Sequence, residues 1–121
     1  MARRQGVPAG AGGVIRGATY FLVRSVFSSD AAIAEFAGVD RSRVTRFKQG
    51  KNLGPDTDAL LDAVSVTVTQ LRGFLEDDVI PEWLRGVNAH LGFRTPLDVL
   101  RTGRLSEVIA AIEAEKYGAY A

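Results

Sequence analysis

Cations cluster in one short stretch of this 121-residue chain, between positions 41 and 51. The stretch, RSRVTRFKQGK, holds five Lys or Arg side chains and no acidic one. Val44 and Phe47 lie three residues apart, a spacing that puts both apolar side chains on one face of a helix. The remaining faces then present cations and hydroxyls. Arginine carries paired donors that match phosphate and the O6 and N7 edge of guanine.

A second helix must position that cationic face, and the residues just before it predict one. In DAAIAEFA (30–37), Ile33 and Ala37 lie on one apolar face at helical spacing. Gly38 can turn the chain in a left-handed conformation, and Asp40 offers an N-cap oxygen to the following helix. Two short helices joined by a tight turn, the second one cationic, predict a helix-turn-helix unit that reads duplex DNA.

The second helix of such a unit reads bases with its first two turns, while flanking cations hold phosphates without reading sequence. The side chains predicted to face base edges are Arg41, Ser42, Thr45 and Arg46. The side chains predicted to hold phosphates are Arg43, Lys48 and Lys51. One helix reads only about four or five base pairs, so we expect a homodimer on a palindromic site with half-sites about 34 Å apart. The alternative is a helical packing unit with a solvated basic face.

Charge is divided along the chain. Residues 1–51 hold nine Lys or Arg against three Asp or Glu, a net of +6, and residues 52–121 hold six against eleven, a net of −5. The basic half suits DNA, and we expect the acidic half to face a different partner. No apolar run approaches the roughly 18 residues of a membrane span. The chain has no cysteine and no apolar leader at its start, so the expected compartment is the cytoplasm.

Hydrophobic periodicity predicts an all-α fold. The predicted helices cover 14–27, about 30–37, 41–49, 56–75, 81–91, 96–101 and 106–117. We interpret 1–13 as a flexible arm, 14–76 as a helix-turn-helix domain for DNA binding and dimerisation, and 77–121 as a small helical domain. The run Val64–Thr69 alternates like a strand, but the apolar stripe through Leu61, Val68 and Leu71 favours a helix. That stripe could make the dimer contact or close the domain's own core.

The first helix and two later positions carry specific expectations. Its predicted buried stripe is Ile15, Ala18, Leu22 and Val26, with Arg16 and Arg24 on the opposite side. Asp56 is expected to cap the helix that follows Pro55. Gly118 is expected to end the last helix.

An enzyme is not expected. His90 is the only histidine and cysteine is absent, so no histidine–cysteine ligand set for a metal exists. Glu113 and Glu115 are close in sequence but lie on different helix faces, which makes them a poor acid/base pair. We therefore predict no catalytic residue, no metal site and no cofactor.

Two segments together resemble one protein family. The segment DAAIAEFAGVDRSRVTRFKQGK resembles the Xre-type DNA-binding motif. Residues 83–121 are similar to the C-terminal toxin-binding domain of the Xre/MbcA/ParS-type antitoxins. The matches are Trp-Leu at 83–84, Asn88 to Gly92, Arg-Thr-Pro-Leu-Asp at 94–98, Gly103, and Tyr117-Gly118. Phe93 departs from the pattern, since family members often have Gly-Gly or a polar residue there.

The resemblance implies an antitoxin in a two-gene module. Its partner would be a RES-domain toxin, an enzyme that consumes NAD, whose active-site cleft the C-terminal domain covers. The DNA-binding domain would repress the operon. The toxin-facing residues that it implies are Trp83, Phe93, Arg94, Thr95, Pro96, Tyr117, Gly118 and Tyr120. The alternative is a stand-alone helix-turn-helix repressor of the phage or prophage type, whose C-terminal helices only self-associate.

Overall fold

The computed structural model describes the backbone of residues 9–119 and the side chains of residues 16–118. Within that part the chain is all-α, as the sequence predicts, with one isolated bridge between Asn88 and Arg94. The helices are α1 (Ala9–Arg24), α2 (Asp30–Ala37), α3 (Arg41–Lys48), α4 (Pro55–Arg72), α5 (Ile80–Arg85), α6 (Pro96–Arg101) and α7 (Leu105–Ala119), with a 3₁₀ turn at Ala89–Leu91 between α5 and α6. None of these helices is both long and apolar enough to cross a membrane.

Helix α4 is the centre of the fold, because it contacts α1 and α2 on one side and α5, α6 and α7 on the other. Its apolar stripe is buried in the chain's own core: Leu61, Val64, Val68 and Leu71 are each at most 1% exposed. The run Val64–Thr69, whose sequence alternates like a strand, is part of this helix. Thr67 satisfies its hydroxyl within the helix by donating to the carbonyl of Ala63 (2.8 Å). The stripe therefore closes the core, the second of the two roles expected for it.

One hydrophobic core crosses the predicted domain boundary at 76/77. Buried residues from Tyr20 and Phe47 on one side to Leu100 and Ile112 on the other belong to a single cluster. The C-terminal helices α5, α6 and α7 therefore pack directly on α4, which also packs on α1 and α2.

Several predicted helix boundaries need correction. Residues 81–91 are not one helix, because α5 ends at Gly86, whose backbone is extended (φ −84°, ψ 152°), before the 3₁₀ turn begins. Gly54, and not Asp56, is the N-cap of α4, with Pro55 in the first turn. Gly118 does not end α7, which runs to Ala119. Helix α1 begins at Ala9, and residues 1–8 of the predicted arm lie outside the described part.

The predicted buried stripe of α1 is correct in part, since Val26 is buried and Leu22 packs against the core. Ala18 is exposed, whereas Tyr20 and Val23 are buried. Arg16, expected on the solvent side, keeps only 11% of its side chain exposed and forms ion pairs with Asp58 and Asp62 of α4. Helix α1 packs against both α3 and α4, and a stretch that is apolar nearly all round does not reveal which side they cover. Ile15 lies outside the described side chains.

Candidate nucleic-acid interface

Local capping builds the α2–α3 pair, as the sequence predicts. Ser29 caps α2 by accepting a hydrogen bond from the amide of Ala32 (3.1 Å). Gly38 ends α2 in the left-handed region (φ 72°), a conformation that costs glycine little. Asp40 then caps α3 by accepting from the amide of Arg43 (3.1 Å). These three local devices fix the turn between the two helices.

The inner face of α3 anchors it to the core. Val44 and Phe47 have no exposed surface. The ring of Phe47 meets that of Tyr20 edge to face, with centroids 5.6 Å apart, and the Arg16 guanidinium lies 5.1 Å from the Phe47 centroid. With its inner face buried on α1, α3 must present its other side outward.

That outer side carries all four residues predicted to read bases. Arg41, Ser42, Thr45 and Arg46 are exposed. Their hydroxyls already have local partners: Ser42 donates to the Asp40 carboxylate (2.6 Å), and Thr45 donates to the carbonyl of Arg41 (3.2 Å). The guanidinium groups of Arg41 and Arg46 have no hydrogen-bond or ion-pair partner among the described residues. They are the groups best placed to donate to a ligand.

Asp40 is the acidic group closest to this surface in sequence. The hydrogen bond from the Ser42 hydroxyl, followed by that from the Arg43 amide, lowers the pKa of Asp40 below its ordinary value. The cap is therefore ionised at neutral pH. A negative charge at the start of α3 also suits the helix dipole.

The three cations predicted to hold phosphates differ in their exposure and in their contacts with the rest of the chain. Arg43 is half-buried, and one of its terminal nitrogens lies 3.6 Å from where a Cβ on Gly54 would stand. The Lys48 ammonium lies 5.6 Å from the centroid of the Tyr20 ring, at the far end of α3. Lys51 is exposed in the loop that follows. All three lie beside the four residues that are predicted to face bases.

The cations of this surface differ from most others in the described part of the chain because they form no ion pair. The cations that pair with a carboxylate within 4.0 Å are Arg16, Arg24, Arg72, Arg94, Arg101, Arg104 and Lys116. Among described side chains, the cations with no such pair are Arg41, Arg43, Arg46, Lys48, Lys51 and Arg85. Five of those six belong to the α3 stretch. None of these five cations thus has a carboxylate within 4.0 Å among the described residues, and the acidic group nearest to the stretch in sequence is the Asp40 cap of α3.

The residues implied as toxin-facing are placed unevenly. Pro96 is buried, and Thr95 is half-buried with its side chain capping α6 at the amide of Asp98. Trp83 is half-buried, with its indole nitrogen 3.4 Å from Glu115. Arg94 is exposed and paired with Glu107 at 2.7 Å.

The aromatic residues of that set face solvent. Phe93 is 70% exposed and Tyr117 is 83% exposed, and Gly118 is exposed beside Tyr117. Tyr120 lies outside the described residues. The structure therefore leaves two large aromatic side chains of the C-terminal region without a place in the core.

Phe93 also has a strained backbone. Its φ is +64°, the only positive φ outside glycine among the described residues. A left-handed conformation in a residue of this size costs about 1–2 kcal/mol. Hydrogen bonds hold the turn: the Phe93 amide donates to the carbonyl of Asn88 (2.8 Å), and the Asn88 amide to that of Arg94 (3.1 Å). The exposed ring is thus presented on a rigid turn.

Arg85 and Arg101, for which the sequence predicts no role, line a groove beside α2. Each binds a carbonyl far away in the chain, Arg85 that of Val26 and Arg101 that of Phe36. No spacing in the sequence signals such long-range contacts.

Comparison of the chain with family models, with curated proteins and with solved structures gave no match. Any function proposed for it therefore depends on its own residues, the motifs that they resemble and their geometry.

Proposed function

We propose that this protein binds duplex DNA by inserting α3 into the major groove. The observation that carries the proposal is a set of five cations that form no ion pair within the described part of the chain: four lie on α3, whose apolar face is buried in the core, and Lys51 lies in the loop that follows. Neutralising phosphates with such cations releases counterions, which is the main source of affinity for DNA. Arg41 and Arg46 are the proposed base readers, and Lys51 is a proposed phosphate contact.

Substituting single cations tests this assignment. Binding to duplexes from the region upstream of the gene is measured by fluorescence anisotropy for Arg46→Ala and Lys51→Ala. Arg46→Ala should lose about 1–3 kcal/mol of discrimination at one base pair, whereas Lys51→Ala should weaken binding to all sequences about equally. Arg104→Ala is the matched control, because Arg104 is exposed but paired with Glu107. Unchanged binding in both α3 variants would remove the assignment.

We propose that the DNA-binding form is a homodimer on a palindromic site. The Leu61–Leu71 stripe is occupied within the chain, so the contact must use another surface. Val66, which is 42% exposed on the outer side of α4, is a suitable contact. Sedimentation of the wild type and of Val66→Glu measures whether the substitution disrupts the dimer. A dimer that persists in the variant would exclude Val66 from the interface.

A second proposed function adds a protein partner. The exposed, strained Phe93 and the exposed Tyr117 favour it, because aromatic side chains on rigid supports are typical anchors of interfaces. With the family resemblance, they lead us to propose that the chain is the antitoxin of a RES-domain toxin. It would cover the toxin's NAD site through a surface around Trp83, Phe93, Arg94, Thr95 and Tyr117, and repress its own operon.

Co-expression tests the antitoxin proposal. The chain is produced with the protein encoded next to it, and the mass of the purified assembly and cell survival are measured. Phe93→Asp should abolish both the complex and the protection, and deletion of 117–121 should weaken both. Phe21→Asp is the control, since Phe21 is 71% exposed but belongs to α1. A stand-alone repressor, the alternative, would have no RES-like neighbour and would bind DNA alone.

A further inference from the structure

Two arginines of the C-terminal helices are stacked on two phenylalanines near the DNA-reading pair. The Arg85 guanidinium lies 5.2 Å from the centroid of Phe27 and donates through Nη2 to the carbonyl of Val26 (2.7 Å). The Arg101 guanidinium lies 4.8 Å from the centroid of Phe36 and donates through Nε to the carbonyl of the same residue (3.2 Å). The two rings are 5.1 Å apart. Stacking and hydrogen bonding thus hold both cations over one aromatic pair.

These guanidinium groups line one groove of about 710 Å³ between α2 on one side and α5 and α6 on the other. Its volume lies within the range of small-molecule sites. Leu97 and Ala32 give it apolar walls, and Glu35 contributes a carboxylate. A concave site is poorly suited to the convex backbone of a duplex. A small ligand fits it better.

The guanidinium groups of Arg85 and Arg101 determine the kind of ligand that the groove can bind. Arg85 has no ion pair among the described residues, and the carboxylate paired with Arg101 is the exposed Asp98 of its own helix, at 3.6 Å. Each guanidinium has five N–H donors, and the recorded hydrogen bonds use only some of them. Free donors in a fixed fork match the geometry of a carboxylate or a phosphate.

We propose that this groove binds a small organic anion, whose carboxylate or phosphate head lies between Arg85 and Arg101 and whose apolar body contacts Leu97. The proposal is independent of DNA binding. It has a regulatory consequence, because α2 supports α3 and the groove joins α2 to α5 and α6. A bound anion that contacts both guanidinium groups would link α5 and α6 more firmly to α2.

Titration of the full-length protein tests the proposal without DNA. Phenyl phosphate, benzoate and inorganic phosphate are added at constant ionic strength, and ¹⁵N–¹H NMR spectra are recorded. We expect saturable binding of one organic anion with a dissociation constant on the order of 1 mM, typical of so small a ligand. The largest shifts should lie at α2 amides and at the Nε signals of Arg85 and Arg101. Inorganic phosphate should bind more weakly, and the two organic probes separate phosphate from carboxylate preference.

Two outcomes of the titration would overturn the proposal: no saturable shift with either organic anion, or shifts centred on residues 41–51. A conservative variant adds a second test. Arg101→Lys keeps the charge but removes the planar fork, and it should weaken binding about tenfold. Arg104→Lys, the control outside the groove, should bind like the wild type. Equal binding by Arg101→Lys and the wild type, with an unchanged circular dichroism spectrum, would exclude the guanidinium site.

Discussion

The α2–α3 region and the C-terminal region from α5 to α7 use the same residue types in opposite ways. In the first, the aromatic side chains Phe36 and Phe47 are buried, and the cations of α3 have no carboxylate partner. In the second, most cations are paired with carboxylates, whereas Phe93 and Tyr117 face solvent. One surface offers free positive charge and the other offers free apolar surface.

This contrast concerns which side chains are free to bind a partner, and not how much each region contributes to the stability of the fold. Surface ion pairs contribute only about 0–1 kcal/mol each, so pairing the C-terminal cations adds little to folding. Pairing does, however, neutralise these cations locally, so that they attract a polyanion such as DNA less strongly. The cations of α3 keep their full charge, which is why the two regions support two different proposed partners, DNA for the α3 surface and a protein for the C-terminal one.

The largest expected effect compares one buried and one exposed phenylalanine. Phe47→Ala should lower the free energy of unfolding by about 3–5 kcal/mol, since it leaves a cavity between α3 and α1. Phe93→Ala should change it by less than about 1 kcal/mol, because its ring contributes nothing to the core. Urea denaturation followed by circular dichroism measures both. Equal losses would mean that Phe93 packs as a core residue and would break the contrast.

The next effect concerns a buried cation and an exposed one. Arg16→Met should destabilise the chain by about 2 kcal/mol, because it leaves Asp58 and Asp62 without their partner in a partly buried site. Lys116→Met, which removes an exposed pair with Glu113, should stay within about 0.5 kcal/mol. The same denaturation experiment applies. A neutral Arg16→Met would show that the pair adds nothing beyond an ordinary surface contact.

Substituting glycine for Phe93 should relieve the strain of its left-handed backbone and so show that this residue does not serve stability. Phe93→Gly should stabilise the protein by about 1 kcal/mol, since glycine adopts a positive φ without a steric penalty. It should at the same time weaken binding to a protein partner. Thermal unfolding of Phe93→Gly beside Phe93→Ala isolates the backbone term. A lower stability for the glycine variant than for the alanine variant would refute the strain.

The smallest expected effect depends on pH. The hydrogen bond from Arg94 lowers the pKa of Glu107 below its ordinary value of 4.5. Because the pKa is lower in the folded state, its contribution is present above pH 4.5 and is lost as pH falls through the folded value. Arg94→Gln should therefore flatten the stability profile in that acidic window and leave its shape at neutral pH unchanged. An identical acid profile in the variant would contradict the assignment.

Sequence predicted best what depends on neighbouring residues. Gly38 ends α2 and Asp40 caps α3 as expected, since each bond spans at most a few residues. The outward face of α3 follows from the spacing of Val44 and Phe47, so the candidate interface was predictable too.

Long-range contacts were not predictable in this way. Arg16 finds its carboxylates 42 and 46 residues away, and that pairing changes which face of α1 is buried. Arg85 and Arg101 reach carbonyls 59 and 65 residues away. The left-handed Phe93 was unexpected for a related reason. A residue of its type rarely adopts that conformation, and the Asn88–Arg94 bridge that holds the turn appears only in three dimensions.

The salt dependence of DNA affinity tests the uncompensated charge of α3 most directly. Affinity for a duplex is measured between low and moderate salt for the wild type, for a triple variant of the proposed phosphate contacts, Arg43→Gln, Lys48→Gln and Lys51→Gln, and for a matched variant Arg72→Gln, Arg94→Gln and Arg104→Gln. We predict that the α3 variant loses about one unit of the slope of log affinity against log salt per substituted cation, and that the matched variant keeps the wild-type slope. Equal slopes for the wild type and the α3 variant, or a loss confined to the matched variant, would contradict the assignment of α3 as the DNA-binding helix.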